Sequence, residues 1–294
     1  KIKGALDCSV LQKAFSELRR RHESLRTSFL AGSDGAPVQL IHSESEFVLE
    51  VENITALDPS ELDIRLDDLI RENSQNPIAL TAAPLMRAKV VVTSNAPNEQ
   101  YLLLCMHHII SDGASQVVLF RELMTLYVAY ISDQPSPLPE LMIQYPDFAH
   151  WQRQWLDDEA MASQLEYWRQ QLADAPILLD LPLDKPRPKV QTTNGSTVSR
   201  ALPEVLTQEL KALCEQQGVT LFMATLLAWQ VLLSRFSGQK DVVVGVPSLG
   251  RHAPELENII GFFIQSLVFR SKFDNNPLIE GALQQVKQTV LDGF

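Results

Sequence analysis

Met106-His107-His108-Ile109-Ile110-Ser111-Asp112-Gly113 leaves an apolar run and enters a helical pattern. Upstream, Leu102-Leu103-Leu104-Cys105-Met106 is apolar on both faces, which predicts a central strand covered from both sides. Downstream, residues from about Ala114 to Ile131 read as a helix. Reactive groups concentrate on loops held by such a scaffold. A histidine there titrates near neutrality and can move a proton at physiological pH. An aspartate four residues later can fix the loop by pairing with an arginine. A glycine lets a ligand approach the backbone, and the helix start offers free N–H groups to a developing oxyanion.

Other chemistries find less support. Neighbours on a strand point to opposite faces, and His107 and His108 have no third ligand at useful spacing, so no metal site is expected. Cys105 reads as a small core residue rather than a nucleophile. The chain has no GxSxG elbow and neither GxxxxGK nor GxGxxG, so no serine acyl-enzyme and no nucleotide site are predicted. His22, His42, His150 and His252 are isolated histidines, expected to be structural or at the surface.

Working outward, Val10, Leu11, Ala14, Phe15 and Leu18 recur at helical spacing, with Arg19, Arg20 and Arg21 in the last turn. A second helix is predicted from Asp58 with Pro59 at its first position and a stripe of Leu62, Leu66, Leu69 and Ile70. Met86 to Val92 and Gln100 to Met106 read as strands around a turn at Asn95-Ala96-Pro97-Asn98. Helices are predicted near 146–156 and 159–172. Pro176, Pro182, Pro186 and Pro188 then mark an extended connector. Beyond it come a strand near 195–202, helices at 203–217 and 220–236 stopped by Gly218 and Gly238, strands near 241–246 and 262–270, and a helix from about Pro277. The expected architecture is a mixed α/β fold in two subdomains, 1–173 and 191–294, joined by a linker at 174–190.

The 294 residues can bury a sizeable core, and 45% hydrophobic with 21% charged residues excludes a disordered chain. A net charge of -11 argues against a nucleic-acid partner. Three cysteines, Cys8, Cys105 and Cys214, form no CxxC pair and suit a reducing, cytoplasmic setting. No apolar run approaches the roughly 20 residues of a membrane span. The opening at Lys1 and the close at Gly293-Phe294 in mid-pattern lead us to expect a piece of a longer protein.

HHxxxDG at a strand-to-helix junction resembles the acyltransferases built like chloramphenicol acetyltransferase. Within them the chain is similar to the condensation domains of nonribosomal peptide synthetases. Arg21-His22-Glu23-Ser24-Leu25-Arg26-Thr27-Ser28-Phe29 matches RHExLRTxF. Tyr145-Pro146-Asp147-Phe148-Ala149-His150-Trp151 matches YxDFAxW, and Ile260 to Arg270 matches IGxFVNTLxxR. The sequence departs at Ala114, often Trp or Val in the family, at Gln265, usually Asn, and at His150, usually small and apolar. The family's opening motif and the blocks beyond position 294 have no counterpart here.

The resemblance implies two chloramphenicol acetyltransferase-like subdomains in a V-shaped pseudodimer, the second incomplete in this sequence. It implies peptide-bond formation between a carrier-bound acyl or peptidyl thioester and the amine of a carrier-bound aminoacyl group. No cofactor is bound directly. The substrates arrive on 4'-phosphopantetheine arms of upstream and downstream carrier proteins, and an adenylation domain is the expected neighbour. His108 faces the substrates, His107 holds the loop, and Gly113 lies near the thioester. Asp112 is structural and paired with Arg26 or Arg270. Ala114, Ser115 and Gln265 are the candidates to line the substrate tunnel. Two alternatives share the motif, an acyltransferase using a coenzyme A or free carrier donor and an epimerisation domain; a third, a catalytically idle docking module, would keep the fold but lose the active histidine, and His108 is present.

Overall fold

The computed structural model describes residues 1–95, 98–156, 158–192, 195–274 and 277–294. They fall into two units that interleave along the chain. The first is Lys1–Asp157 with Leu249–Ile264, and the second is Asp158–Ser248 with Gln265–Phe294. The division falls ahead of the Pro-rich stretch expected as the linker. Residues 174–190 lie in the second unit without helix or strand, and the Gln239 side chain anchors Leu178 and Asp180 there through their backbone.

In the first unit, Asp7 caps α1 (Cys8–Arg21) by accepting from the Ser9 and Val10 amides. The predicted apolar stripe of α1 is buried. Its last-turn arginines do more than face the helix dipole. Arg19 and Arg21 are buried, and the Arg19 guanidinium donates to the carbonyls of Ser45 and Glu46. The sheet has the order β1 (Ile2–Lys3), β6 (Asn98–Met106), β5 (Met86–Asn95), β4 (Glu50–Asn53). β5 and β6 form an antiparallel hairpin with Met86 opposite Met106. The turn expected between them centres on residues 96 and 97, which lie outside the described residues.

β6 is covered on both faces, as its sequence predicted. Leu102, Leu104 and Met106 pack on the main core with α1 and α3 (Gly113–Ile131). Tyr101 and Leu103 pack on a second cluster with Leu66 and Leu69 of α2 (Pro59–Gln75). Ile70, counted in that stripe, is exposed instead. A separate hairpin joins β2 (Thr27–Ala31) to β3 (Pro37–Ile41), and α4 (Tyr145–Trp155) closes the unit's first segment.

The second unit holds α5 (Asp158–Gln171), α6 (Glu204–Gln217), α7 (Leu221–Ser237), the antiparallel pair β7 (Asp241–Ser248) and β8 (Gln265–Lys272), and α8 (Ile279–Gly293). Its core joins Met223, Leu226 and Leu227 of α7 to Phe269 of β8 and to Leu283, Val286 and Val290 of α8. No single helix among the described residues is long and apolar enough to cross a membrane.

Two expectations need correction. Residues 195–202 form no strand: Val198 and Leu202 are exposed, and no neighbouring strand pairs with them among the described residues. A strand without a ladder partner leaves its backbone groups to water. The strand expected from 262 begins at Gln265, because the amides of Gly261 and Phe263 are spent on side chains rather than on a ladder.

Candidate active site

The strand-to-helix junction is built as a tight turn. β6 ends at Met106, and the His107 amide donates to the Leu85 carbonyl at 2.9 Å. A single 3-10 turn, His108–Ile110, follows. His107 is half-buried, and its Nδ1 accepts the Ile109 amide at 3.0 Å, so this ring ties the loop together. His108 is exposed. Its imidazole meets the Phe262 ring edge-on, with centroids 5.3 Å apart and planes at 82°. Gly113, the first residue of α3, is also exposed, and a Cβ added there would meet nothing within 4 Å. Ala114 beside it is half-buried.

Asp112 is buried and caps α3. Its Oδ1 accepts the Ser115 amide and hydroxyl, each at 2.7 Å, and its Oδ2 accepts the Phe263 amide at 3.0 Å. Its ion-pair partner is Arg251, with Nη2 at 3.3 Å and a side chain 6% exposed. Neither expected arginine fills this place. Arg26 donates to the His42 carbonyl at 2.6 Å and pairs with Glu23. Arg270 pairs with Asp241 at 2.6 Å and donates to the carbonyls of Gln171 and Ala173, within the second unit.

Arg251 suits the position because its planar fork reaches several acceptors at once. It donates to the carbonyls of Leu256 and Ile259 and to the Ser115 hydroxyl, and its guanidinium lies 4.1 Å from the Phe263 ring centroid. The preceding Gly250 has φ +65°, and a Cβ there would stand 1.9 Å from the Phe263 carbonyl oxygen.

Ser115 is likewise corrected as a lining residue. It is fully buried; its oxygen accepts from Arg251 and the Gly261 amide, and its one proton lies between Asp112 Oδ1 and the Gly261 carbonyl. Gln265 opens β8 in the second unit with an exposed side chain.

The segment Ile260–Phe263 is held from a second side by the Arg21–Phe29 block. Ser24 Oγ donates to the Ile260 carbonyl at 2.6 Å, and His22 Nδ1 accepts the Ile260 amide at 3.4 Å. With Nδ1 accepting, the His22 proton sits on Nε2 and points to Glu122 Oε2 at 2.7 Å. Arg21 Nε donates to the same oxygen at 3.0 Å. From α4, the Tyr145 hydroxyl donates to the Phe262 carbonyl at 2.9 Å. The ring of Tyr145 also explains Gly261, where a Cβ would lie 2.2 Å from it. Three sequence blocks that are far apart in the chain therefore converge on one loop.

Burial raises the Asp112 carboxyl, but the Ser115 hydrogen bonds, the Phe263 amide and the Arg251 charge together hold it below the usual range. Glu122 behaves alike: burial pushes it up, and His22 and Arg21 bring it lower. Burial pushes His22 below the ordinary histidine value, despite the pull of Glu122. All three folded values lie below the unfolded ones, so each group contributes stability that is present at higher pH and lost in acid. The His22 contribution is complete above about pH 6.5 and declines as pH falls below it; those of Glu122 and Asp112 decline below about pH 4. The thermal midpoint should therefore fall between pH 7 and 5, and His22→Gln should remove that upper decline. A midpoint flat over this interval, or an unchanged decline in the variant, would contradict the assignment.

Among the described residues, no group of three or more His, Cys, Asp or Glu side chains is placed to hold a metal ion.

The geometry thus sets an exposed imidazole at a strand-to-helix junction braced by a buried Asp–Arg pair, in a mixed α/β fold. The chain belongs to the condensation domain family, whose model matches residues 1–294. A linear gramicidin synthase of Brevibacillus parabrevis is 41% identical over 294 residues, 100% of this chain and 6% of that protein. The chain thus spans a small part of that much longer relative. The X-domain from teicoplanin biosynthesis superposes with a TM-score of 0.87 at 26% identity, covering 99% of this chain and 63% of that one. The epimerization domain from the third module of tyrocidine synthetase B shares the fold, with a TM-score of 0.83 at 19% identity over 98% of this chain and 66% of that one.

Proposed function

We propose that this chain forms amide bonds in nonribosomal peptide synthesis. The donor is an acyl or peptidyl thioester, the acceptor is the amine of an aminoacyl thioester, and both hang from phosphopantetheine arms of carrier proteins. The observation that carries this reading is the division of labour in the loop: His108 is exposed, while Asp112 is buried and fully engaged. The carboxylate holds the turn, and the imidazole is left free for substrate.

The chemistry asks little of the protein beyond placement. An α-amine titrates near roughly 7.7–8.0, so part of it is neutral at physiological pH. As its nitrogen attacks the thioester carbonyl, a C–N bond forms and the C–S bond breaks. The amine's proton passes to His108 Nε2 or Nδ1 and leaves with the departing thiol, or His108 hydrogen-bonds the tetrahedral intermediate. The open backbone at Gly113 lets the carbonyl come close to the start of α3, with Ala114 bordering the approach. Tethering both reactants supplies much of the rate as effective concentration. Adjacent carrier and adenylation domains and a cytoplasmic setting belong to the same reading.

The test is product analysis in the full-length protein with both carriers loaded. The expected product is the amide on the acceptor arm, followed by mass spectrometry of the carrier-bound species. An inverted α-carbon without a new amide would identify an epimerising protein. Acyl transfer from a coenzyme A or free carrier donor to a free amine or hydroxyl would identify another acyltransferase. Carrier binding without any covalent product would identify a docking module.

A further inference from the structure

We infer that Phe262 is a positioning residue for His108: its ring, held rigidly by its own backbone, fixes the orientation of the imidazole. The inference rests on the reading of His108 given above. An exposed histidine ring samples several rotamers on a picosecond to nanosecond scale unless something beside it selects one. The only aromatic ring paired with His108 among the described residues is Phe262, in edge-to-face geometry at 5.3 Å and 82°. That is a favoured arrangement of two π-systems, and it constrains the tilt of both rings.

The backbone around Phe262 is held by side chains from several elements. Every residue from Ile260 to Phe263 is hydrogen-bonded to a side chain from another element: Ile260 to His22 and Ser24, Gly261 to Ser115, Phe262 to Tyr145, and Phe263 to Asp112. Ile260 and Phe263 are buried and anchor the segment in two core clusters. Phe262 is 38% exposed and belongs to neither. Its side chain therefore adds little to the core, yet its main chain is held on both sides. What the clamp delivers is a phenyl ring at a set place beside His108. The buried Asp112 acts on the histidine at both ends of this path, through its own turn and through the Phe263 amide.

The test compares Phe262→Ala, Phe262→Leu and Phe262→Tyr in the full-length protein with loaded carriers. For Phe262→Ala, kcat should fall by about 3- to 10-fold, the bias an edge-to-face pair can supply. KM for the acceptor carrier should stay within two-fold, and the thermal midpoint should not move. Phe262→Tyr should restore kcat to within two-fold, and Phe262→Leu should behave as Phe262→Ala, since it keeps bulk without a ring. An unchanged kcat in Phe262→Ala, or full rescue by leucine, overturns the inference. His108→Ala is measured alongside: wild-type turnover there would remove the function reading itself, whereas an inactive His108→Ala with an unaffected Phe262→Ala removes only the role of Phe262.

Discussion

Replacing His108 with alanine in the full-length protein is expected to lower amide-forming turnover by about 10²- to 10⁴-fold, the usual contribution of a positioned proton-transfer group. Folding should be untouched. The imidazole is exposed, and substitutions at exposed positions away from caps and cores shift stability by about 0.5 kcal/mol or less. Loading and binding of the carriers should survive, because neither depends on the reacting histidine. His108→Gln separates two duties of the ring. Glutamine can donate a hydrogen bond to a tetrahedral intermediate but cannot take the amine's proton. A glutamine variant as inactive as the alanine one points to proton transfer, and partial activity points to hydrogen bonding. Wild-type turnover in both variants would take His108 out of the chemistry. His107→Ala makes the contrast: its Nδ1 accepts the Ile109 amide, so its loss costs about 1 kcal/mol of loop stability.

The sequence made the junction legible because local physics decides it. An apolar run, two histidines, an aspartate that fixes the loop and a helical pattern each act within a few residues, and the structure assembles them in that order, with the capping of α3 by Asp112 added by the structure. The partner of Asp112 was not legible. Arg26 and Arg270 stand inside recognisable blocks, whereas Arg251 follows Gly250 in a loop with no periodic pattern. Its role follows from the fold, which brings residues 249–264 back to the first unit after the chain has built much of the second. The one local hint was the glycine, since Gly250 permits the backbone approach that sets Arg251 under Phe263. Ser115 was misread for a related reason. A serine at the third position of a helix commonly faces solvent, and only the tertiary contact with Gly261 shows that this hydroxyl is buried and shared. The buried triad of His22, Arg21 and Glu122 joins residues about a hundred positions apart, beyond the reach of any short-range pattern.

Asp112→Ala should cost the protein its fold before its rate can be measured cleanly. Removing the carboxylate leaves Arg251 as a buried, unpaired cation, a loss of about 3–5 kcal/mol. It also orphans the amides of Ser115 and Phe263, each at about 1–3 kcal/mol when buried. These penalties share one network and do not add in full. Even so, they rival the roughly 5–15 kcal/mol by which a domain is stable. Soluble yield and thermal midpoint should both drop sharply. Arg251→Ala should be milder, because Asp112 keeps the Ser115 and Phe263 donors. Arg251→Lys should not rescue it, since one ammonium cannot serve Asp112, Leu256 and Ile259 together. The double variant Asp112→Ala/Arg251→Ala should be more stable than the sum of the single losses predicts, because neither charge is then left buried alone. The measurement is a double-mutant cycle of unfolding free energies. An Asp112→Ala protein with a wild-type midpoint and no turnover would move the carboxylate from the scaffold into the reaction.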